Sequence, residues 1–254
     1  MEQLYDAYMP VDALSRLVLE HQPCVVLTGA GISTESGIPD FRSAEGIWRK
    51  YDPMEYATID AFFENPEKVW DFYGKRLASL ADAEPNAGHH ALADLERRGW
   101  IDAVITQNVD GLHGRAGSRN VVEVHGSIRT ASCLDCGRSL SYEDALVRLP
   151  LPTCPTCGRV LKPDVVMFGE LLPEEAIDRA VRLAAEARLF LVVGSSLEVY
   201  PVAGLPLETM ARGGTVAIIN RGETPLDGSA ALRIDAAAGE TLVALAAALP
   251  ERLE

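Results

Sequence analysis

Cys24-Val25-Val26-Leu27-Thr28-Gly29-Ala30-Gly31-Ile32-Ser33 is the stretch on which the reading of this fold turns. Five apolar or β-branched residues run into a glycine-rich turn, the pattern of a strand covered on both faces. Glycines at such a strand end let backbone amides approach a diphosphate at the start of a helix. Outward from this stretch, similar runs recur at Ala103 to Thr106, Val121 to Val124, Leu189 to Val193 and Thr215 to Ile219. Between them lie helical patterns, clearest from Pro173 to Ala187, where Ile177, Ala180, Val181 and Ala184 recur at helix spacing. Apolar strands alternating with helices predict an α/β fold built on a doubly wound parallel sheet, Rossmann-like in layout. Two segments break the alternation. Residues 43–84 are aromatic-rich and helical in pattern, and residues 130–163 carry paired cysteines. They predict a second, smaller domain made of a helical insertion and a zinc-binding module, leaving 1–42, 85–129 and 164–254 for the nucleotide-binding domain.

Composition narrows the function. The chain has 254 residues, 48% hydrophobic content and a formal net charge of -14. That charge argues against nucleic acid as a partner, because phosphate contacts need clustered Lys and Arg. A lysine-rich protein segment suits such a surface better. No run of about 18 apolar residues occurs, and the start MEQLYDAYMP has no basic region followed by an apolar stretch, so a cytoplasmic location off the membrane is expected.

Four of the five cysteines form two tight pairs, Cys133-x2-Cys136 and Cys154-x2-Cys157, seventeen residues apart and each followed by glycine. Paired thiolates on tight turns supply four soft ligands for tetrahedral Zn2+, and a full set leaves no open position, so the ion is expected to be structural. Two redox-active pairs are the alternative reading, but such pairs normally stand alone at a helix start. Cys24, within the first strand, reads as a small buried hydrophobe.

Gly29-Ala30-Gly31 alone is a weak signal. The acidic residue that usually follows a dinucleotide fingerprint by about 20 positions is missing, and Asn220 after the strand Thr215 to Ile219 is a substitute. Gly194-Ser195-Ser196 follows another strand, so three loops are expected to meet beyond the carboxyl ends of the sheet. Two further strand ends carry Thr106-Gln107-Asn108-Val109-Asp110-Gly111-Leu112-His113 and His125-Gly126. Amide and carboxylate groups together can hold a carboxamide, the polar handle of nicotinamide, which points to NAD. Among the five histidines, His21 ends a helix, and His89 and His90 begin one, so all three read as structural or exposed. His113 lies in a polar loop, whereas His125 directly ends a strand at the crevice and is the stronger candidate for chemistry.

Gly29-Ala30-Gly31-Ile32-Ser33 with Ser36-Gly37-Ile38-Pro39-Asp40-Phe41-Arg42, then Thr106 to His113, His125-Gly126, the four cysteines, Phe168-Gly169-Glu170, Gly194-Ser195-Ser196-Leu197 and Ile219-Asn220 form an ordered set. It closely resembles the sirtuins, NAD-dependent protein deacylases, from about residue 20 to about 245. Val109 stands where that family often has Ile, and Ser195 where Thr is common. The resemblance implies that the acyl oxygen of an acylated lysine attacks the ribose carbon bearing nicotinamide, forming an alkylimidate. His125 would then act as the catalytic base on the ribose hydroxyls, and hydrolysis would yield free lysine and acylated ADP-ribose. By the same resemblance Ser33, Ile38, Asn108 and Asp110 form the nicotinamide pocket, Gln107 reaches the ribose, Phe41 shields the reactive face, Arg42 meets phosphate and Ala238 lies by the adenine. Ile32, Asp40, Trp48, Val109, Ser195, Ser196, Arg221 and Gly222 complete the implied cofactor site. Val166, Phe168 and Gly169 belong to a segment, Val165 to Gly169, expected to pair with substrate backbone as a strand.

One local anomaly concerns the acyl group. Asn65-Pro66 caps a helix whose apolar stripe is Val69, Phe72, Tyr73, Leu77 and Leu80, and Arg76 falls within that stripe. No acidic residue stands three or four positions away to neutralise it. Taken alone, this reads as a salt bridge to another segment or a snorkelling Arg. In context, Tyr73-x2-Arg76 resembles the acidic-acyl pair of the class III sirtuins, and Ala57 the small residue that widens their pocket. The expectation is removal of succinyl, malonyl and acetyl groups. Plain deacetylation, mono-ADP-ribosyl transfer to protein and a non-catalytic NAD-sensing module are the alternatives.

Overall fold

The computed structural model describes residues 2–252. Helix α1 (Glu2–Glu20) leads into β1 (Cys24–Thr28), then a 3-10 turn (Ala30–Ser36) and helices α2 (Pro53–Tyr56), α3 (Ile59–Glu64), α4 (Pro66–Ala81) and α5 (Ala87–Arg97). Next come β2 (Ala103–Thr106), α6 (Leu112–Ala116), β3 (Val121–Glu123), β4 (Gly126–Cys133), β5 (Ser139–Ser141), α7 (Tyr142–Leu146) and β6 (Leu161–Val165). The chain continues through α8 (Glu174–Glu186), β7 (Leu189–Val193), α9 (Leu205–Ala211), β8 (Thr215–Ile219), β9 (Leu232–Ile234) and α10 (Ala238–Ala248). No helix among the described residues is long and apolar enough to cross a membrane.

The expected parallel sheet is present, with strand order β3-β2-β1-β7-β8-β9 and every neighbouring pair parallel. Its central strands are buried on both faces. Cys24 and Val26 of β1 join a core with α1, α5 and α10, while Val25 and Leu27 join the opposite core with α8 and α9. Each fully buried Leu or Ile in these layers stabilises the fold by roughly 1.5–3 kcal/mol. Strand β9 was not anticipated, because Leu232-Arg233-Ile234 is too short and too polar to stand out as an apolar run.

The order reverses between β1 and β7, which makes their loops the switch point of the sheet. There the glycines answer a steric demand. A Cβ on Gly29 would meet the Gly194 carbonyl oxygen at 2.7 Å, and one on Gly194, itself at φ 60, would meet the Ile32 nitrogen at 2.5 Å. The amides of Gly29 and Gly31 donate to the Val193 and Gly194 carbonyls at 3.1 and 2.9 Å. These two N–H groups are therefore committed to the neighbouring loop.

A second, antiparallel sheet of order β5-β4-β6 carries the cysteine pairs at its far end. It shares a third core with α3, α4 and α7, in which Trp70 of α4 donates to the Leu161 carbonyl at 2.7 Å. Helix α4 starts as its cap predicts, the Asn65 side chain accepting from the Lys68 amide. Val69, Phe72, Tyr73 and Leu80 are buried as expected; the side chain of Leu77 lies outside the described residues. Strands β4 and β6 run through the expected domain edges at 130 and 163.

Candidate active site

A cavity of about 1610 Å³ opens between the two sheets, beyond the carboxyl ends of β1, β2, β7 and β8. The expected loops do converge there: Gly29, Ala30, Gly31, Ser33, Ile38, Asp40, Phe41, Arg42, Trp48, Gln107, Asn108, Val109, Asp110, His125, Gly194, Ser195, Ser196, Asn220, Arg221 and Ala238 all line it. So do Ala57, Tyr73, Arg76, Val166, Phe168 and Gly169. Ile32 and Gly222 do not. Ile32 is fully buried in the core beneath the sheet, and Gly222, at φ 85, forms the turn whose carbonyl accepts from the Asn220 side chain at 3.0 Å.

One wall is a closed polar network. The Asn108 amide donates to the Gly29 carbonyl at 3.1 Å and to Ser33 Oγ at 3.0 Å, and Ser33 donates in turn to Asp110 at 2.8 Å. Both Asn108 N–H groups are thus used, leaving its Oδ1 as the acceptor for a donor on a ligand. Gln107 donates to Ser195 Oγ at 2.8 Å, tying the β2 and β7 loops together.

His125 sits where the large sheet passes into the small one. The Val124 amide bonds Thr106 of β2, the His125 carbonyl accepts from the Val166 amide at 2.9 Å, and Gly126 opens β4 at φ 75. A Cβ at Gly126 would lie 2.1 Å from the Asp164 carbonyl oxygen, so only glycine fits beside the histidine. His125 Nδ1 lies 3.1 Å from the Gln107 carbonyl. A carbonyl only accepts, so Nδ1 carries the proton and Nε2 holds the free lone pair. Burial pulls the imidazole below its ordinary pKa, against the opposing pull of that carbonyl, which keeps the ring neutral with Nε2 unprotonated.

His113 does not reach the cavity wall. It lies in α6 rather than in an open loop and is 2% exposed, with Nε2 2.9 Å from Thr28 Oγ1 and its ring 4.9 Å from that of His89.

Arg76 occupies the far wall. Its guanidinium stands 4.5 Å over the Phe41 ring, Nη1 is buried without a hydrogen-bond partner, and no carboxylate pairs with it among the described residues. The salt bridge to another segment that its sequence position alone suggests is absent there. Burial lowers its pKa, opposed by the fields of Tyr73 and Asp110, and burial raises the neighbouring Tyr73 phenol to about 12.

The strand facing the cavity has an anchor that sequence reading missed. Lys162 is buried, and its ammonium donates to the Pro163 and Val165 carbonyls and pairs with Glu170 at 2.9 Å. Glu170 also accepts from the Met167 amide at 2.8 Å. The available signal was a lone cation beside Leu161 in a buried strand. Phe168 is paired as well, its N–H to Ala57 and its C=O to Ile59, so any strand-like contact with a substrate falls to the residues flanking it.

The four cysteine sulfurs lie within 4.8 Å of one another, with individual separations of 3.4 to 3.6 Å. Tetrahedral zinc with Zn–S near 2.3 Å needs edges of about 3.8 Å, so the cluster fits. Two like-built turns hold it, closed by Gly137 N–H to Cys133 and Gly158 N–H to Cys154, both glycines at positive φ.

The Sir2 family profile matches residues 29–201. The chain belongs to the Sir2 family. This Sir2 chain is 46% identical over 231 residues to NAD-dependent protein deacylase 1 of Archaeoglobus fulgidus, covering 91% of the chain and 94% of that relative. It is 45% identical over 255 residues to an NAD-dependent protein deacylase of Thermus thermophilus, covering 99% and 97%. A solved Sir2 structure with a deacetylated peptide and 3'-O-acetyl ADP-ribose superposes with a TM-score of 0.90 at 42% identity, covering 92% of the chain and 96% of that structure.

Proposed function

We propose that this Sir2-family enzyme is an NAD-dependent protein deacylase that removes succinyl and malonyl as well as acetyl groups from lysine side chains. The family membership and the names of its relatives support the general reaction. NAD supplies the electrophilic ribose carbon and the leaving nicotinamide. Asn108, Ser33, Ile38 and Asp110 hold the carboxamide end, Arg42 meets the diphosphate, and Asn220 and Ala238 lie toward the adenosine. His125 accepts a ribose hydroxyl proton at Nε2 while Nδ1 stays bonded to the Gln107 carbonyl. Zinc on Cys133, Cys136, Cys154 and Cys157 is structural, since a complete thiolate set leaves no site for water. The small unit is proposed to comprise 43–84 and 130–163, with the shared core across those segments in support. Cysteines that ligate zinc and form no disulfide suit a reducing compartment such as the cytoplasm.

The acidic-acyl preference rests on one observation: the buried guanidinium of Arg76 on the cavity wall, with Nη1 unpartnered. A buried charge without a counter-ion is costly, and a carboxylate on the acyl chain would supply one, with the Tyr73 hydroxyl as a second donor. Ala57 leaves room beside them. Rates on one peptide in succinylated and acetylated forms test the reading. Arg76→Met is expected to lower kcat/KM for the succinyl peptide about 100-fold or more, as for a lost charge-assisted pair, with a far smaller change for the acetyl peptide. Equal losses on both would refute it.

A further inference from the structure

Arg42, which lines the cavity, forms an ion pair with Glu198, Nε to Oε2 at 2.8 Å. The two residues come from different loops. Arg42 belongs to the segment after the 3-10 turn, where Asp40 Oδ1 accepts from the Arg42 and Ser43 amides at 3.1 and 2.9 Å and sets the course of the backbone. Glu198 follows β7, directly after Leu197, a non-glycine residue held at φ 54 with its side chain 2% exposed. The buried leucine anchors a left-handed turn, and Glu198 is left outside it. The Ser196 hydroxyl donates to the same carboxylate oxygen at 3.4 Å.

We propose that Glu198 is the resting counter-ion of Arg42 and that the cofactor's diphosphate takes its place, so that Glu198 sets cofactor affinity through Arg42. The inference rests on the reading of Arg42 as the diphosphate ligand. A guanidinium carries one positive charge, and while it pairs with Glu198 the two together are neutral. A diphosphate arriving at Arg42 meets a carboxylate on the same group, and the like charges repel. The exchange is easy because both side chains are about half exposed, at 41% and 53%, and an exposed ion pair is held weakly. Each cofactor entry then breaks one ion pair to make another, which weakens binding relative to an Arg42 without a partner.

Calorimetric binding of ADP-ribose, which carries the diphosphate without requiring turnover, tests this with four proteins: the parent chain, Glu198→Gln, Arg42→Ala and the double variant. The expected result is about threefold tighter binding for Glu198→Gln, the scale of an exposed ion pair, with no such gain when Arg42 is already alanine. Unchanged or weaker binding by Glu198→Gln overturns the proposal. A gain that persists in the Arg42→Ala background also overturns it, since Glu198 would then act on the phosphates directly. Arg42→Ala binding as well as the parent would instead remove the assignment of Arg42 on which the inference stands.

Discussion

At the scale of single residues, the proposed reaction depends on one imidazole whose tautomer is dictated by a backbone carbonyl. His125 needs a free Nε2 lone pair to accept a proton, and the Gln107 carbonyl secures it by occupying the Nδ1 proton. In the proposed reaction the neutral ring is the active form, and it is lost as pH falls through the pKa of His125. Burial lowers that pKa below the usual value of about 6.5, so the acid limb of kcat/KM is expected below that value. A pH profile on an acylated peptide with saturating NAD checks this; an acid limb above pH 7 would contradict a buried neutral base. Arg76 belongs to the same scale. Its position within an apolar stripe was legible in the sequence, whereas the lack of a partner elsewhere in the chain was not, because a salt bridge from a remote segment leaves no local trace.

At the scale of elements, the segment running from β6 to Glu170 carries the residues proposed to face the substrate and hangs on a buried ammonium. Lys162 satisfies two carbonyls and one carboxylate, and Glu170 passes that anchorage on to the Met167 amide. Removing one member of a buried pair leaves its partner charged and unpaired at a cost of about 3–5 kcal/mol. Lys162→Met is therefore expected to lower unfolding stability by roughly 3 kcal/mol and to raise KM for the acyl peptide more than KM for NAD. Denaturant titration and steady-state kinetics read the two effects. Equal shifts in both KM values would show that Lys162 serves only the general fold. The helical insertion follows the same logic at its other contact, where the Trp70 indole bonds the Leu161 carbonyl and sets α4, with Tyr73 and Arg76, against the small sheet.

At the scale of the whole molecule, two buried histidines couple folding to pH. His89 Nδ1 accepts from the Asn86 amide, leaving Nε2 without a partner; His113 bonds Thr28, leaving Nδ1 without one. Burial is the largest cause lowering both pKa values. Below about pH 6.5 the unfolded chain takes up protons that the native chain refuses, so their contribution to stability is complete above that pH and is lost as pH falls. The loss approaches about 1.4 kcal/mol per pH unit for each histidine, or about 3 kcal/mol for the pair. Chemical denaturation at pH 7.5 and pH 5 measures it, and a flat stability between these values would mean that neither ring is held neutral. The His113 ring sits beneath the network of Thr28, Thr106 and Asn108, so acid strain would be felt first under that wall of the cavity.

Local chemistry by itself determined the sheet, the cysteine cluster and the loops of the site. Both-face burial needs unbroken apolar runs, tetrahedral ligation needs tight paired thiols, and strand-end glycines announce close approach, all of which are short-range patterns. The ordered motifs also singled out His125. Tertiary structure decided what depends on remote partners. It showed the Gly29 and Gly31 amides spent on the β7 loop, turned Ile32 into the core, moved His113 beneath the wall, and revealed the Lys162 anchor and the Arg42–Glu198 pair. A side chain's role in these cases is set by which distant group it meets, and spacing along the chain carries no record of that meeting.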